Sequence, residues 1–220
     1  MIYLIRHGKP VMPHGDWHFL GQEDPPLDET GVEQARQLGE RLAAVSFARV
    51  WSSDLVRAVQ TAALAAQVPL SAVKTDKAFR EVNLGSWEGL DLATVRETHP
   101  NEYAAREKNV AGYRFPGGES FREMQQRVLA GFSIILDEEL AGITPGGPDN
   151  PGQPTNLMVV AHKNANRSLL CHYMAWPLEK MFAIPQEYCC LNLLRARRAQ
   201  DGSIAITVEE PRLSDFNLSR

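Results

Sequence analysis

Two histidines and two arginines stand where short, strand-like runs of this sequence end. Arg6 and His7 follow the run at residues 2–5, His162 follows the run at 157–161, and Arg57 lies one helical turn beyond the run at 49–52. A guanidinium offers a fixed fork of donors that matches phosphate oxygens. An imidazole, with an ordinary pKa of about 6.5, can act as a neutral nucleophile at cellular pH. These residue types predict an anion site, with phosphate as the best candidate ligand.

The runs that carry these residues are typical of buried strands. Strands are predicted at residues 2–5, 49–52, 157–161, 191–194 and 204–208. The first and third are almost continuously apolar, as expected for strands covered on both faces of a largely parallel sheet. In open sheets of this kind, ligands bind outside the carboxyl ends of the strands. We therefore expect the two histidines and the arginines to converge at one edge of the sheet.

Amphipathic segments alternate with the strands. Apolar residues recur at intervals of three and four in 32–45, 59–66 and 124–135, and a further helix is expected from near 166 to 174. Thr30 with Glu33, and Ser120 with Glu123, have the spacing of a capping box at two helix starts. This alternation predicts an α/β fold, a three-layer α/β/α sandwich with a mostly parallel central sheet.

A general acid is the remaining requirement for phosphoryl transfer. The transition state is loose, so a protein mainly positions the reactants and neutralises charge on the phosphoryl oxygens. One histidine attacking phosphorus, with arginines and a second histidine on the oxygens, meets this demand without a metal. The departing alkoxide still needs a proton, and Glu81 in REVNLGSWEG is the candidate acid.

Five ordered blocks of the sequence resemble the histidine phosphatase superfamily, which has the phosphoglycerate-mutase-like fold. They read LIRHGKP, SSDLVRAVQTA, REVNLGSWEG, PGGES and VVAHKNANRSLL, and the similarity covers roughly residues 1–192. The segment LGQEDPPLDETG is similar to the bacterial small-molecule phosphatase branch of that superfamily, which includes the α-ribazole-phosphate phosphatases.

The resemblance implies a role for each matching position. His7 would be the nucleophile, transiently phosphorylated, and Arg6, Arg57 and His162 would complete the phosphate pocket. Glu81 would protonate the leaving oxygen and then activate water. The implied activity is that of a metal-independent phosphomonoesterase, which hydrolyses a small phosphorylated metabolite through a phosphohistidine intermediate and uses no cofactor.

Two departures from the family pattern bear on the substrate. Lys163-Asn164 stands where many relatives have Gly-Gly, and Lys9-Pro10 stands where many have Glu-Thr after Arg-His-Gly. Neither change removes a catalytic group, but both can alter which ester fits. Lys163 and Asn164, together with Gly21 in the loop before the first helix, are the candidate substrate-contacting residues.

Two other functions fit the same blocks. A phosphoglycerate mutase primed by a bisphosphorylated cofactor would share the pocket and return the phosphoryl group to substrate. The basic residues Arg106, Lys108 and Arg114 are compatible with that reaction, whereas the short PLDETG segment looks more like the phosphatase branch. A non-catalytic phosphate-binding or interaction protein is the third reading. Lys163-Asn164 is its only support, because nucleophile and acid both persist.

The whole chain, residues 1–220, is predicted to form one domain. Residues 90–118 are polar and long for a simple connection, so they are predicted to form a lid-like insertion over the site. Residues 141–156 are rich in proline, glycine and asparagine, which predicts an exposed loop without chemistry.

Charge and composition narrow the class of partner. A net charge of −4 gives no reason to expect nucleic acid or an anionic membrane as a partner. The expected partner is a small-molecule phosphate monoester. No window approaches the roughly 20 apolar residues of a spanning helix, and no signal-peptide pattern opens the chain, so a cytoplasmic location is expected. The oligomeric state is left open, with a homodimer as one expectation.

One further segment has residue types that bind metals. HGDWH places His14, Asp16 and His18 at a spacing compatible with a metal site. Such a site also needs further supporting groups around its ligands. We therefore expect a solvated, turn-rich loop at this position and no metal.

Overall fold

The computed structural model describes residues 1–15, 18–140, 156–198, 201 and 203–209. The strands are β1 (Ile2–Arg6), β2 (Phe47–Ser52), β3 (Lys74–Thr75), β4 (Asn156–Ala161), β5 (Leu191–Arg198) and β6 (Ile204–Glu209). The helices are α1 (Glu29–Arg41), α2 (Val56–Ala66), α3 (Leu92–Thr98), α4 (Pro100–Lys108), α5 (Phe121–Leu140) and α6 (Lys163–Tyr173). The predicted loop at 141–156 lies outside the described residues except for Asn156, which begins β4.

The six strands form one mixed sheet in the order β3-β2-β4-β1-β5-β6. Strands β1 to β4 are parallel, whereas β5 and β6 pair antiparallel at one side. In the central pair β1–β4, Arg6 lies opposite Ala161, so both strands end at the same level. The residues that follow them, His7 and His162, are therefore adjacent at the carboxyl edge.

Both faces of the sheet are covered, as the continuous apolar strands predict. Leu4 and Val159 face the core made with α5 and α6, whereas Ile5 and Val160 face the core made with α1 and α2. Successive strand side chains point to opposite faces, which is why neighbours in sequence belong to different cores. The predicted three-layer α/β/α sandwich with a mostly parallel sheet is confirmed.

Helix ends differ in part from the sequence prediction. The capping box at α5 is present, since Ser120 N–H donates to Glu123 (2.8 Å) and Glu123 N–H donates to the Ser120 hydroxyl (3.1 Å). At α1 the predicted box of Thr30 and Glu33 is wrong, because the carboxylate of Asp28 accepts from Gly31 N–H at 2.7 Å.

Two helix boundaries also differ from the predicted ones. Helix α1 ends at Arg41 rather than near residue 45. Helix α6 begins at Lys163, three residues before the predicted start, with His162 as its N-cap. The second difference places the first turn of α6 directly at the end of β4, beside the predicted site.

The lid-like segment contains two short helices that the sequence pattern did not predict. Asp91 caps α3 by accepting from Thr94 N–H at 2.7 Å, and Pro100 opens α4. In α4 no residue is buried, so it has no apolar stripe that periodicity could reveal. Within the described residues, no helix combines the length and apolarity that crossing a membrane requires.

Candidate active site

His7 leaves the end of β1 with its ring orientation already fixed. Its backbone N–H donates to Ala161 of β4 at 3.1 Å, and its side chain is almost fully buried. The ring Nδ1 lies 2.7 Å from the Gly8 carbonyl oxygen, an acceptor, so Nδ1 carries the proton. The lone pair of the neutral ring is then on Nε2, the nitrogen that is free to attack.

The glycine after His7 is required by packing against α1. A Cβ added at Gly8 would lie 2.6 Å from the Gly31 carbonyl oxygen, closer than any real contact. Gly8 N–H donates to the Thr61 hydroxyl at 3.0 Å, and that hydroxyl donates to the Arg57 carbonyl at 2.7 Å. The turn after β1 is thereby joined to the first two turns of α2.

Arg57 is completely buried at the start of α2 and is held by a loop distant in sequence. Its Nη1 donates to the Glu23 carbonyl at 2.6 Å, and its Nη2 donates to the Gly21 carbonyl at 2.7 Å. Its Nε is buried and has no hydrogen-bond partner. Two of its nitrogens therefore anchor the guanidinium, and the third remains available to a ligand.

Arg6, like Arg57, is anchored by a segment distant in sequence, here the residues before β5. Its Nη1 donates to the Gln186 carbonyl at 2.6 Å, and its guanidinium carbon lies 3.8 Å from the ring centroid of Tyr188. Its Nε, like that of Arg57, is buried without a partner. Stacking on an aromatic face holds the planar guanidinium in position while its remaining donors stay free.

His162 completes the cluster from β4. Its ring lies 4.9 Å from the ring of His7, centroid to centroid, and is fully buried. Neither of its ring nitrogens has a hydrogen-bond partner. A buried polar atom without a partner is costly, and here such atoms of Arg6, Arg57 and His162 occur together. This group of donors matches the oxygens of a bound phosphate.

Burial and charge keep both imidazoles neutral. Burial lowers the pKa of His7 well below its usual value, and the cations Arg57 and Arg6 lower it further. Burial and the Arg57 charge likewise lower the pKa of His162 well below its usual value. A neutral His7 keeps its lone pair on Nε2, which a nucleophile requires.

Glu81 is a buried carboxyl group in the same cavity as His7. Burial raises its pKa, although the N–H groups of Asn164 (3.0 Å) and Val82 (2.8 Å) oppose this by donating to it. A carboxyl group with a raised pKa can hold the proton that an acid catalyst needs.

Two arginines that could have paired with Glu81, its neighbour Arg80 and the more distant Arg114, bind other carboxylates. Arg80 forms two hydrogen bonds to Asp54, at 2.7 and 2.6 Å, and Arg114 pairs with Glu123. Neither arginine neutralises Glu81 as a salt-bridge partner. The carboxyl group of Glu81 is thus held by backbone N–H groups and left facing the cavity.

The three predicted substrate-contacting residues occupy different places. Lys163 and Asn164 line the cavity with His7, at the first turn of α6. Burial and the neighbouring charges of Arg167 and Arg6 lower the pKa of Lys163. Gly21 is not among the described residues that line the cavity; its backbone contacts Arg57 instead.

The cavity itself has a volume of about 390 Å³. We call the part lined by Arg6, His7 and Glu81 the phosphate end, and the lid-like segment contributes Leu92, Arg106 and Phe115. Arg57 and His162 are not among the described residues that line the cavity. The predicted role of residues 90–118 as a lid stays a prediction, and this contribution to the wall is consistent with it.

Sequence reasoning missed two groups that orient this cluster. Tyr188 and Gln186 support Arg6 from the segment before β5, and neither belongs to a recognisable local motif. The AHKNANR segment did place Arg167 at the start of a helix, and Arg167 lines the cavity while its Nε donates to the Ile184 carbonyl at 2.8 Å.

Where it is described, the HGDWH segment places each of its two histidines beside a single carboxylate. His14 Nε2 lies 3.1 Å from Glu23, and His18 Nε2 lies 3.8 Å from Asp91. Asp16 lies outside the described residues. Across the described part of the chain, no group of three or more histidine, cysteine, aspartate or glutamate side chains is placed to bind a metal ion.

Comparison with known proteins gives relatives of two kinds. "Probable phosphoglycerate mutase GpmB" of Proteus mirabilis is 35% identical over 142 residues, which are 61% of this chain and 62% of that protein. The chain thus spans about three fifths of the curated relatives it matches. A candidate alpha-ribazole-5'-P phosphatase of Escherichia coli K-12 is a structural neighbour, with a TM-score of 0.75 and 26% identity over 96% of both chains.

Further comparisons agree on the family. A mycobacterial glucosyl-3-phosphoglycerate phosphatase in complex with VO3 has a TM-score of 0.77 and 25% identity, covering 95% of this chain and 97% of that one. The family model of the histidine phosphatase superfamily (branch 1) matches residues 2–206. The chain belongs to the histidine phosphatase superfamily.

Proposed function

We propose that this protein is a metal-independent phosphomonoesterase that hydrolyses a small phosphorylated metabolite through a phosphohistidine intermediate. One observation supports this most strongly. The unpartnered, buried nitrogens of Arg6, Arg57 and His162 surround a histidine whose Nε2 carries the lone pair. A tetrahedral dianion satisfies such donors and at the same time presents its phosphorus to Nε2.

The reaction follows from these positions in two steps. His7 Nε2 attacks phosphorus, the P–O bond to the alcohol breaks, and the leaving oxygen takes the proton of Glu81. Water then attacks the phosphohistidine, gives its proton to the Glu81 carboxylate, and releases inorganic phosphate with His7 regenerated. The donors of the arginines and His162 neutralise the phosphoryl oxygens in both transition states.

The decisive experiment traps the intermediate. The protein is mixed with a ³²P-labelled monoester and quenched in alkali, in which phosphohistidine survives, and a second sample is treated with acid. We expect an acid-labile, base-stable label on the wild type and on the control His172→Asn, whose ring is exposed on α6. The variant His7→Asn should carry none. A label that persists in His7→Asn, or no label in wild type during turnover, would overturn the mechanism.

A cofactor-primed phosphoglycerate mutase is the second candidate, because curated relatives carry that name and Arg106 lines the cavity. Both reactions pass through the same phosphohistidine, so the fate of the phosphoryl group separates them. The test supplies 3-phosphoglycerate with and without a bisphosphoglycerate primer. We expect release of inorganic phosphate from monoesters and negligible primed isomerisation. Binding of phosphate esters without hydrolysis of any of them would instead favour a non-catalytic protein.

A further inference from the structure

The cavity beyond the phosphate end is walled by aromatic rings. Phe19 and Trp87 are stacked with centroids 6.3 Å apart, and Trp87 meets Phe115 edge to face at 5.1 Å. Phe115 contacts Phe121 at 5.8 Å, and Phe121 contacts Phe182 at 5.6 Å, both edge to face. All five rings line the cavity. They form a continuous array from its interior to its mouth, which we call the aromatic wall.

The aromatic wall is buried inside and partly exposed to solvent at its outer end. Trp87, Phe115 and Phe121 are buried, whereas the Phe182 side chain at the mouth is 41% exposed. Leu92, which lies at the mouth as well, is 40% exposed. Apolar surface at the mouth of a concave site is a feature that ligands commonly cover. The free energy gained here comes from removing carbon surface from water.

A small, highly hydroxylated alcohol fits this wall poorly. The wall adds no carboxylate to the cavity, where Glu81 is the one carboxylate among the described lining residues. Hydroxyl groups against the ring faces would lose hydrogen bonds to water there. Donors to the alcohol would have to come from Arg106 and Arg167, whose guanidinium carbons lie 5.4 and 5.6 Å from the Phe182 ring centroid. The volume of about 390 Å³ also lies in the range typical of sites for ligands much larger than phosphate.

We propose that the substrate is a phosphate monoester whose alcohol is bulky and apolar, with an aromatic group preferred. This deepens the proposed function and rests on it, because the phosphate must occupy the His7 end for the alcohol to reach the aromatic wall. Phe182 and Leu92 are the specificity-determining residues at the mouth, and the inner rings support them.

The test is a series of primary-alcohol esters, in which the leaving groups have similar acidity. Propyl, benzyl and 2-naphthylmethyl phosphate are compared by kcat/KM. Each additional buried group of methylene size raises kcat/KM roughly fourfold. We therefore expect kcat/KM to rise at least 30-fold from the propyl to the naphthylmethyl ester. Equal values, or a preference for the propyl ester or for glycerol 3-phosphate, would overturn the proposal.

Variants show whether the aromatic wall causes the preference. Phe182→Ala should lower the naphthylmethyl-to-propyl ratio about fivefold, because part of the apolar contact is lost. The control Leu70→Ala removes an exposed apolar side chain outside the cavity and should leave the ratio unchanged. A ratio that Phe182→Ala leaves unchanged would contradict the assignment of Phe182.

A binding measurement tests the preference for an apolar alcohol separately from the proposed phosphatase activity. If no ester is hydrolysed, the proposed function fails, but calorimetry with propylphosphonate and 2-naphthylmethylphosphonate still reports on the aromatic wall. Tighter binding of the naphthyl compound would support the apolar specificity without turnover. Equal affinity for the two phosphonates would overturn it.

A second, independent set of contacts concerns the loop that holds Arg57. The Glu88 Oε1 atom accepts from Gly21 N–H at 2.7 Å and from Glu23 N–H at 2.8 Å. The carbonyl groups of these same two residues accept from the Arg57 guanidinium. One carboxylate therefore fixes both peptide segments whose oxygens orient Arg57.

Gly21 makes this close approach sterically feasible. A Cβ at this position would lie 2.6 Å from Glu88 Oε2 and 2.7 Å from the Val82 carbonyl oxygen. Between the two clamped residues, the Gln22 side chain donates to the Glu81 carbonyl at 3.0 Å. The loop is thus held from several directions, with Glu88 as its only carboxylate anchor among these contacts.

We infer that Glu88 is a positioning residue for phosphate binding. It holds residues 21–23 so that their carbonyl groups take two nitrogens of Arg57 and leave Nε directed at the ligand. Without this anchor the loop relaxes, and the guanidinium changes its orientation in the buried site. Glu88 therefore acts through Arg57 and does not touch the phosphate.

A double-mutant cycle with orthovanadate, a phosphate analogue, separates this role from a general structural one. Hydrogen bonds to a charged group suggest that Glu88→Ala weakens vanadate inhibition about tenfold in the wild-type background. In the Arg57→Ala background, Glu88→Ala should weaken vanadate inhibition less than about twofold, because the guanidinium that Glu88 positions is absent. Equal losses in the two backgrounds would overturn the positioning role.

Conservative variants cover the case in which Glu88→Ala does not fold. Glu88→Gln keeps an Oε1 acceptor for both N–H groups, so we expect vanadate inhibition within about threefold of wild type. Glu88→Asp shortens the side chain and should weaken inhibition by an intermediate factor, again only when Arg57 is present. A Gln variant as weak as the Ala variant would contradict the hydrogen-bonding argument.

Discussion

The two ends of the cavity differ in burial and polarity. At the phosphate end, His7, Arg57 and His162 are buried, and backbone carbonyl groups fix His7 and Arg57. At the other end, where the alcohol of the proposed substrate would lie and which we call the alcohol end, Phe182 and Leu92 are partly exposed and lie outside the sheet strands. Under the proposed function, the chemistry would depend on buried groups at or near strand ends, and the choice of alcohol on the more exposed segments around them.

This difference predicts two kinds of response to substitution. At the phosphate end, each buried donor without a partner costs about 1–3 kcal/mol until an anion satisfies it. Removing one donor should therefore weaken anion binding by a fixed amount that does not depend on the size of the alcohol. At the alcohol end, the free energy comes from apolar area, at roughly 25 cal/mol per Å². Changes there should be graded and should depend on the size of the ester.

The largest effect is expected from Glu81→Gln with an alkyl phosphate. Without the acid, the alkoxide leaves unprotonated, and kcat should fall about 10³-fold. With 4-nitrophenyl phosphate the leaving group needs no proton, so the first step should stay fast. Stopped-flow measurement should then show a burst of nitrophenolate followed by slow hydrolysis of the phosphohistidine.

Asp54→Asn is a suitable control for this carboxyl-to-amide change. Asp54 pairs with Arg80, next to Glu81 in sequence, and its side chain is partly exposed. We expect no dependence of its activity on the leaving group. Equal losses on alkyl and nitrophenyl esters in Glu81→Gln would contradict the role of Glu81 as the acid.

A smaller loss is expected from Arg57→Lys. Lysine keeps the charge, but its single nitrogen cannot reach the carbonyl groups of Gly21 and Glu23 and also donate to phosphate. We expect kcat/KM to fall about 10²-fold, with a parallel weakening of vanadate inhibition. The control Arg49→Lys changes an arginine on β2 whose side chain is exposed, and it should behave as wild type. A fully active Arg57→Lys would show that charge alone suffices.

The residues at the phosphate end could be predicted from the sequence because the sheet brings strand ends together. Arg6, His7 and His162 follow the apolar strands β1 and β4, and parallel pairing leaves them at one edge. Their orientation could not be predicted. Arg57 is oriented by carbonyl groups more than thirty positions away, and Arg6 by Tyr188 at the far end of the chain. Such contacts have no local pattern.

The wrong sequence predictions about the helices and strands also arise where the local sequence pattern carries too little information. Asp28 rather than Thr30 caps α1, and its backbone N–H also donates to the Lys9 carbonyl at 3.0 Å. This tertiary contact fixes the residue at which α1 begins. A local capping pattern in the sequence gives no information about such a contact. Helices α3 and α4 were missed because α3 buries only Val95 and α4 buries nothing. Strand β3 has two residues, too few for a periodic signal.

A modest and selective effect is expected at the alcohol end from Leu92→Ala. The side chain contacts the ester only through apolar area, so KM for a bulky ester should rise about threefold to tenfold, with kcat nearly unchanged. Vanadate inhibition should not change, because vanadate occupies the phosphate end alone. The exposed side chain of Leu70 provides the matched control. A weakened vanadate inhibition in Leu92→Ala would mean that the two ends are not separable.

A further effect concerns the dependence of stability on pH, and it comes from the two buried histidines at the phosphate end. In the folded protein, burial lowers the pKa of His7 and His162 well below the value of about 6.5 expected in the unfolded chain. Below pH 6.5 the unfolded chain therefore binds protons that the folded protein does not. The free energy of unfolding falls on acidification, by up to about 1.4 kcal/mol per pH unit for each histidine.

Glu81 contributes with the opposite sign. Its pKa is raised by burial, so the folded protein takes up a proton there before the unfolded chain does, and this partly offsets the loss at lower pH. Urea unfolding at pH 7.0 and 5.5 should show the net decrease, and His162→Asn should reduce it. Equal slopes for wild type and His162→Asn would contradict the burial of a neutral His162.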